Sequence, residues 1–392
     1  MTFDAIVIGA GPGGASAALS LAQQGRAVAI VERAEFPRRK VCGEFISAVN
    51  LVLLDRLGVG TAFRDLAGPE VTRTALFAAG PGLDAPMPEA NGNAFGRALG
   101  RDVLDGLLLD AAHRAGVTVL QPWRAVEILP AGELSTVRIE SGDRHQALSA
   151  PVIVAAHGSW EPGKLASNLA RRNQPHDFLG FKAHFTHATL AADLMPLMVF
   201  PGGYGGMVWA DRGRLSVSCC MRRDVLTLLR ADHPGMSAAE VVHGHIMASC
   251  PAAKAAIGNA TLYDDWLAAG PIRPGIREQY QDAIFRVGNL AGESHPIIAE
   301  GISMALQSGW LLAEQLRQMP VWDVDGRAAA GAAYTRLWHR QFATRIHAAA
   351  FLARLAIFPQ GAALMRGMVK VFPAALSIGA RISGKTKPLS YF

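Results

Sequence analysis

Three glycines, one carboxylate and one loop of cations are the chemistry-bearing groups near the start of the chain. In DAIVIGAGPGGASAALSLAQQGRAVAIVER, Gly9, Gly11 and Gly14 recur as G-x-G-x-x-G, with Pro12 and Gly13 inside the turn. Gly9 permits the tight turn, Gly11 lets backbone approach a diphosphate, and Gly14 lets helix and strand touch. Glu32 follows where a carboxylate would accept hydrogen bonds from a ribose diol and repel a 2′-phosphate. The implied ligand is a dinucleotide, FAD or NAD rather than NADP. Downstream, RRKVCGEFIS crowds Arg38, Arg39 and Lys40 against Cys42, Gly43 and Glu44. Cations lower a thiol's pKa, so Cys42 reads three ways: a nucleophile, half of a disulfide, or part of a loop lying along the ligand.

These groups need particular elements to hold them. Ala5 to Ile8 reads as a buried strand, Ala15 to Gln24 as a helix, and Ala27 to Val31 as a second strand. The helix N-terminus then offers free N–H groups and a positive dipole end to the phosphates. No second glycine fingerprint leads into a helix. GGYGGMVWADRGRLSVS is flanked by strand-like runs and reads as a hairpin or bulge.

A chain of 392 residues, half of them apolar, suffices for two intertwined domains around large cores. Cys42, Cys219, Cys220 and Cys250 show no framework spacing, which suits free thiols in a reducing cytosol and removes the disulfide reading. MTFDAIVIGAGPGG has no basic leader region and reads as a fold element rather than a signal peptide. No stretch of about 18 apolar residues lacks charge or Gly/Pro breaks, arguing against a spanning helix. The net charge of +6 hides an asymmetry. From Arg327 to Phe392 there are ten Lys/Arg and no Asp or Glu, while the first 326 residues carry 28 basic and 32 acidic side chains.

Two further segments fix a resemblance. FRVGNLAGESHPIIAEGISMALQSGWLLAEQL places Gly288-Asn289, Gly292, Pro296 and Glu300-Gly301-Ile302 ahead of a long helix. This resembles the second flavin motif of the para-hydroxybenzoate-hydroxylase superfamily, with spacing closest to its geranylgeranyl-reductase-like branch. FGRALGRDVLDGLLLDAAHRAGVTV resembles the superfamily's R-x-x-L/F-D helix, opened here by Arg101. The resemblance implies FAD as cofactor and NAD(P)H as transient electron donor. It implies Arg101 as an FAD contact, Asn289 at the ribityl chain or diphosphate, and Gly301 and Ile302 at the pyrimidine end of the flavin, next to Pro296. Val126 falls where the family's chain passes the adenine. Cys42, Gly43, Arg33 and Arg39 become flavin-side or diphosphate-side residues. Two positions depart from the family: His157-Gly158 replaces Asp-Gly, and Gly288-Asn289 replaces Gly-Asp.

The expected fold is α/β: a Rossmann-like FAD-binding domain (1–70, 97–160 and 275–318) interleaved with a smaller antiparallel-sheet substrate domain (71–96 and 161–274). A basic helical region follows (319–392). The superfamily's chemistry points first to a monooxygenase acting on a lipophilic aromatic or polyketide-like small molecule, free or carrier-bound. The alternative is a C=C reductase of the geranylgeranyl-reductase type, and a remote one is a non-catalytic carrier on the same fold. The prenyl reductases' Y-x-W-x-F-P is altered here to GGYGGMVW, and the halogenases' W-x-W-x-I-P is absent, whereas K-x-C-G resembles the reductase branch. His295, beside the expected flavin ring, is a candidate general base for a phenol, and Cys42 a candidate redox residue. Tyr204, Trp209, Phe181 and His184 read either as pocket lining or as sheet core. The acid-free tail suits an anionic membrane surface, an acidic acyl-carrier protein, or a basic face covering the active site. The main body's acidic balance argues against nucleic acid. The expected place is the cytoplasm, with a peripheral position at the inner face of the membrane left open.

Overall fold

The run Ala5–Ile8 is apolar at every position because both of its faces are covered. In the computed structural model, which describes residues 1–90, 94–158, 165, 172–319 and 321–389, it lies inside a six-stranded sheet. The order is Tyr280–Gln281, Ile284–Arg286, Val152–Ala155, Ala5–Ile8, Val28–Val31, Thr118–Leu120, parallel except for the outer hairpin. A three-stranded meander (Arg124–Leu129, Ser135–Ser141, Arg144–Ala150) covers one face through Val137, Ile139 and Leu148. Helices α1 (Pro12–Gln23), α2 (Arg101–Arg114) and α3 (Gly301–Arg317) cover the other. Proline at the first helical position starts α1, where its missing N–H costs nothing.

Helices α1 and α3 approach backbone to backbone. A Cβ on Gly309 would stand 2.2 Å from the Gly13 carbonyl oxygen, and Ser16 Oγ donates to Leu306 O at 2.8 Å. Both N-termini therefore open on the same space.

The second sheet runs Thr261–Leu262, Phe178–Thr186, Leu215–Arg222, Gly203–Trp209, Leu194–Phe200, Arg73–Phe77, Leu83–Pro86, with Leu267–Ile272 also paired to Phe178–Thr186. It is antiparallel apart from one pair, Leu194–Phe200 with Arg73–Phe77. The predicted hairpin is present, joining Gly203–Trp209 to Leu215–Arg222. Alternation decides the two faces. Leu215, Val217, Cys219 and Met221 pack on the helices Arg223–Ala231, Ala238–Ser249 and Pro251–Ile257. Tyr204 and Cys220 point the other way, toward the C-terminal helices.

Those are α4 (Val324–Ala356), α5 (Pro359–Val371) and α6 (Ala374–Ala380). Asp323 caps α4 by accepting from Gly326 N at 2.7 Å. Pro359 opens α5 and Pro373 precedes α6, as the sequence predicts, and α4 and α5 meet at a 108° bend. No single helix among the described residues is long and apolar enough to cross a membrane. The class is the α/β one expected, with a Rossmann-like unit, a second sheet unit and a helical tail. The expected boundary between residues 160 and 161 lies outside the described residues, as do 320 and 390–392 of the tail.

Candidate functional site

The glycine turn is a place where side chains do not fit. Gly9 has φ +104°, and a Cβ there would lie 2.7 Å from the Ala156 carbonyl oxygen. A Cβ on Gly14 would come within 2.0 Å of the Gly9 oxygen. Gly9, Gly11, Pro12 and Gly13 line a cavity of about 700 Å³; Gly14 is absent from its wall and serves the close helix–strand contact. At the end of the second strand the buried Glu32 accepts from Ala10 N at 2.8 Å and Ala34 N at 2.9 Å. Its carboxylate thus borders the mouth of the turn, where a ribose would lie.

Cations gather on the same wall. Arg33, Arg38, Lys40 and Arg101 all line the cavity. Arg38 reaches Glu32 at 3.3 Å, and Arg101 grips Asp105 through two bonds of 2.6 and 2.7 Å. Burial opposes the charge on Arg101, but Asp105 more than offsets it and holds the guanidinium protonated. At Lys40 the balance goes the other way: burial, then repulsion from Arg38, Arg101 and Arg33, outweighs the attraction of Glu32 and pushes its pKa down to about 7. Arg39 is not on this wall; its guanidinium is engaged by Asp264 at 2.7 Å and the Asp265 carbonyl at 2.7 Å. Val126 is not on the wall either, although its neighbours Trp123, Arg124 and Ala125 are. His157 is on it, with both ring nitrogens lacking a hydrogen-bond partner among the described residues; burial, then Arg286 and Arg33, pushes its pKa down to about 4.

Cys42 and Gly43 line the cavity beyond these cations, and all four cysteines are free thiols. Glu44 N donates to Cys42 Sγ at 3.4 Å. The neighbouring Glu44, with φ 62°, is a residue to which the sequence reading assigned no role. Its buried carboxylate takes Lys182 Nζ on one oxygen and His184 Nε2 at 2.8 Å on the other, and Arg101 N donates to it at 2.9 Å. Burial would raise its pKa, but Lys182 and His184 win and hold it at about 2. His184 Nδ1 lies 3.0 Å from Asp264, which also holds Arg39. A chain of charges therefore ties the cation loop to the second sheet. Lys182 and His184 alternate in LGFKAHFTHATL, and that i, i+2 polar pair was the available signal.

At the other end of the cavity, Pro296, Gly301 and Ile302 bring the α3 N-terminus to the wall, and Asn289 lies there too, its Nδ2 donating to Glu293 at 3.1 Å. His295 stands behind the wall, not on it. Tyr204 lines the cavity, and its hydroxyl lies 3.1 Å from His295 Nδ1. Burial, then Arg354, pushes His295 down to about 4, while burial raises the Tyr204 phenol well above its usual value. Of the other aromatics, Phe181 is in the core beneath the sheet and Trp209 Nε1 donates to Leu190 O at 3.0 Å.

The remaining wall is apolar and comes largely from the tail. Leu197, Ile272 and Ile297 face Leu355, Met365, Val369 and Leu376 across this arm. Lys385 also reaches the wall, where its Nζ meets buried Glu300 at 3.0 Å and the Ile298 carbonyl at 2.7 Å.

An FAD is compatible with these groups. The turn leaves no room for side chains, Glu32 suits a ribose diol, and a diphosphate would relieve the repulsion around Lys40. The N-terminus of α3 would favour negative charge on the flavin ring.

Comparison with known proteins agrees. The family model described as "FAD binding domain" matches residues 2–221. The chain is 27% identical over 348 residues to conditioned medium factor receptor 1 of Dictyostelium discoideum, covering 81% of this chain and 63% of that protein. It is 26% identical over 360 residues to digeranylgeranylglycerophospholipid reductase 2 of Methanopyrus kandleri, covering 87% and 83%. Among solved structures, a flavin-dependent brominase superposes with TM-score 0.77 at 16% identity, covering 98% of this chain and 94% of its own. A probable FAD-dependent monooxygenase from Pseudomonas aeruginosa gives 0.71 at 19%, covering 93% and 99%. At such identities the likeness establishes the fold.

Proposed function

Since this chain belongs to the FAD-binding-domain family, within the para-hydroxybenzoate-hydroxylase superfamily of flavoprotein oxidoreductases, we propose that it is an NAD(P)H-fed monooxygenase acting on a lipophilic ring compound of aromatic or polyketide-like type. The observation that carries this reading is the shape of the cavity's chemistry. One phenol, Tyr204, stands among Leu197, Ile272, Ile297 and Met365 close to the start of α3, and an apolar arm continues beneath the tail helices. A hydroxylated ring with an alkyl substituent matches that sequence of environments: ring oxygen on Tyr204, chain along the arm.

When bound, FAD supplies the electrons taken from NAD(P)H and activates oxygen for transfer. The chain's own residues position and exclude. Gly9 to Gly13 and the cations fix the dinucleotide end, and Asn289 offers a side-chain amide to its middle. Tyr204 accepts a hydrogen bond from the substrate hydroxyl while its own proton goes to His295 Nδ1. With His295 held near 4 and the phenol held high, the pair keeps its proton at neutral pH. In this reading His295 acts as an orienting acceptor, where the sequence offered it as a candidate general base. Leu355, Met365, Val369 and Leu376 keep water from the arm. Free thiols, Cys42 among them, suit the reducing cytoplasm, where NAD(P)H is supplied.

A second reading, reduction of a C=C bond, is favoured by one observation: the M. kandleri relative, similar over 87% of this chain, is named a reductase. The discriminating experiment reduces the flavin anaerobically with NADH or NADPH, adds a long-chain alkylphenol or a prenyl lipid, and then admits ¹⁸O₂. Incorporation of one heavy oxygen atom into the phenol supports the monooxygenase. Gain of two hydrogens without oxygen establishes the reductase. A purified protein that holds no flavin overturns both and leaves the carrier.

A further inference from the structure

Exposed apolar side chains are densest in one stretch of the chain. Nineteen large apolar residues are exposed among the described residues, and eight of them lie between residues 351 and 382. On α5, Leu364, Met368 and Val371 repeat at i, i+4, i+7, which puts them on one stripe of the helix. They are 65%, 51% and 87% exposed, while Met365 and Val369 on the adjoining stripe are buried. Phe358 precedes α5, Phe372 follows it, and Ile378 and Ile382 are exposed on and just beyond α6. Lys370 and Arg381 are exposed within the same stretch, and no acid occurs after residue 326. The strand Leu83–Pro86, packed against α5 and α6, adds one acid, Asp84, which Arg73 engages at 2.9 Å.

An apolar surface of this kind, whose own helices carry cations and no acid, is costly to leave in water and suits a surface that is oily within and negative at its edge. Its position adds a second observation. Phe351, Leu364 and Met368 are exposed and also belong to the cavity wall. The arm that would hold the alkyl part of a substrate therefore opens onto this same surface.

We propose that the α5–α6 face docks on an anionic phospholipid bilayer and that lipophilic substrate enters the cavity from the membrane. Docking does not depend on whether the reaction is hydroxylation or reduction, so its failure would leave that reading standing. The test uses the full-length, flavin-loaded protein, sedimented with phosphatidylcholine vesicles containing roughly one third phosphatidylglycerol. Two variants avoid the cavity wall: Val371→Ser with Phe372→Ser, and Lys370→Glu with Arg381→Glu. Each pair is expected to weaken sedimentation at least about tenfold with flavin content and melting temperature unchanged, and pure phosphatidylcholine to bind wild type far less. Equal binding to both vesicle types, or variants that sediment like wild type, would overturn the proposal. So would a dimer that the serine pair dissociates without any effect on vesicles. Loss of acyl-carrier-protein capture by the glutamate pair, with vesicle binding intact, would assign the face to that partner instead.

Discussion

The ammonium of Lys40 shares the cavity wall with Arg33, Arg38 and Arg101, and its pKa of about 7 records burial first and repulsion from these cations second. A bound diphosphate would reverse that balance and raise the pKa. Above pH 7 the free protein has lost this proton and must regain it on binding, so FAD affinity should fall as pH rises from about 7 to about 9, by up to tenfold per unit. Glu32, Arg33, Arg38 and Arg101 are the charged groups that face this ammonium. Fluorescence titration of the apoprotein with FAD measures the slope, and Lys40→Met should flatten it. A flat wild-type profile would show that Lys40 does not face the cofactor. The cations were legible in RRKVCGEFIS, but their division of labour was not. Arg39, adjacent in sequence to Arg38, turns to Asp264 because the loop runs between two sheets.

At the scale of elements, the packing of α1 on α3 carries the site, since both helix ends must meet at the cavity. Gly309→Ala would drive a methyl group into the Gly13 carbonyl and the Ala17 amide, 2.2 and 2.8 Å away. Loss of at least about 2 kcal/mol is expected, with loss of bound flavin. Gly106, inside α2, has nothing within 4 Å of its added Cβ. Gly106→Ala should therefore stabilise by about 0.5–1 kcal/mol. Denaturant unfolding of both variants reads the contrast, and similar effects would show that α1 and α3 do not depend on this contact.

Across the whole molecule, the tail returns to the flavin end. Lys385 is joined to Glu300, the residue immediately before α3, over 85 positions of chain, and both are buried. Ser47 Oγ is 3.3 Å and Arg345 3.9 Å from the same carboxylate. Lys385→Met leaves Glu300 buried with weaker compensation, and about 3–5 kcal/mol of stability should be lost. The double variant Glu300→Gln, Lys385→Met should recover a large part, because the orphaned charge is gone. If Lys385→Met unfolds at the wild-type denaturant midpoint, the tail does not brace the site.

Local sequence determined the nucleotide-binding half of this protein. The G-x-G-x-x-G turn, the strand before it, the helix after it and Glu32 occupy one short stretch, where contact follows from turn geometry and helix period. The buried parallel strands were legible as unbroken apolar runs, since water touches neither face. Tertiary structure alone decided which charges and rings meet. Glu44 is 138 residues from Lys182, Tyr204 is 91 from His295, and the helices that wall the cavity come from the end of the chain. Such pairs leave no periodic mark on the sequence, because each partner is held by a different sheet or helix and only the packing of the two halves brings them together. A stretch whose basic charge stood out in sequence therefore supplies, in the fold, much of the cavity's apolar wall.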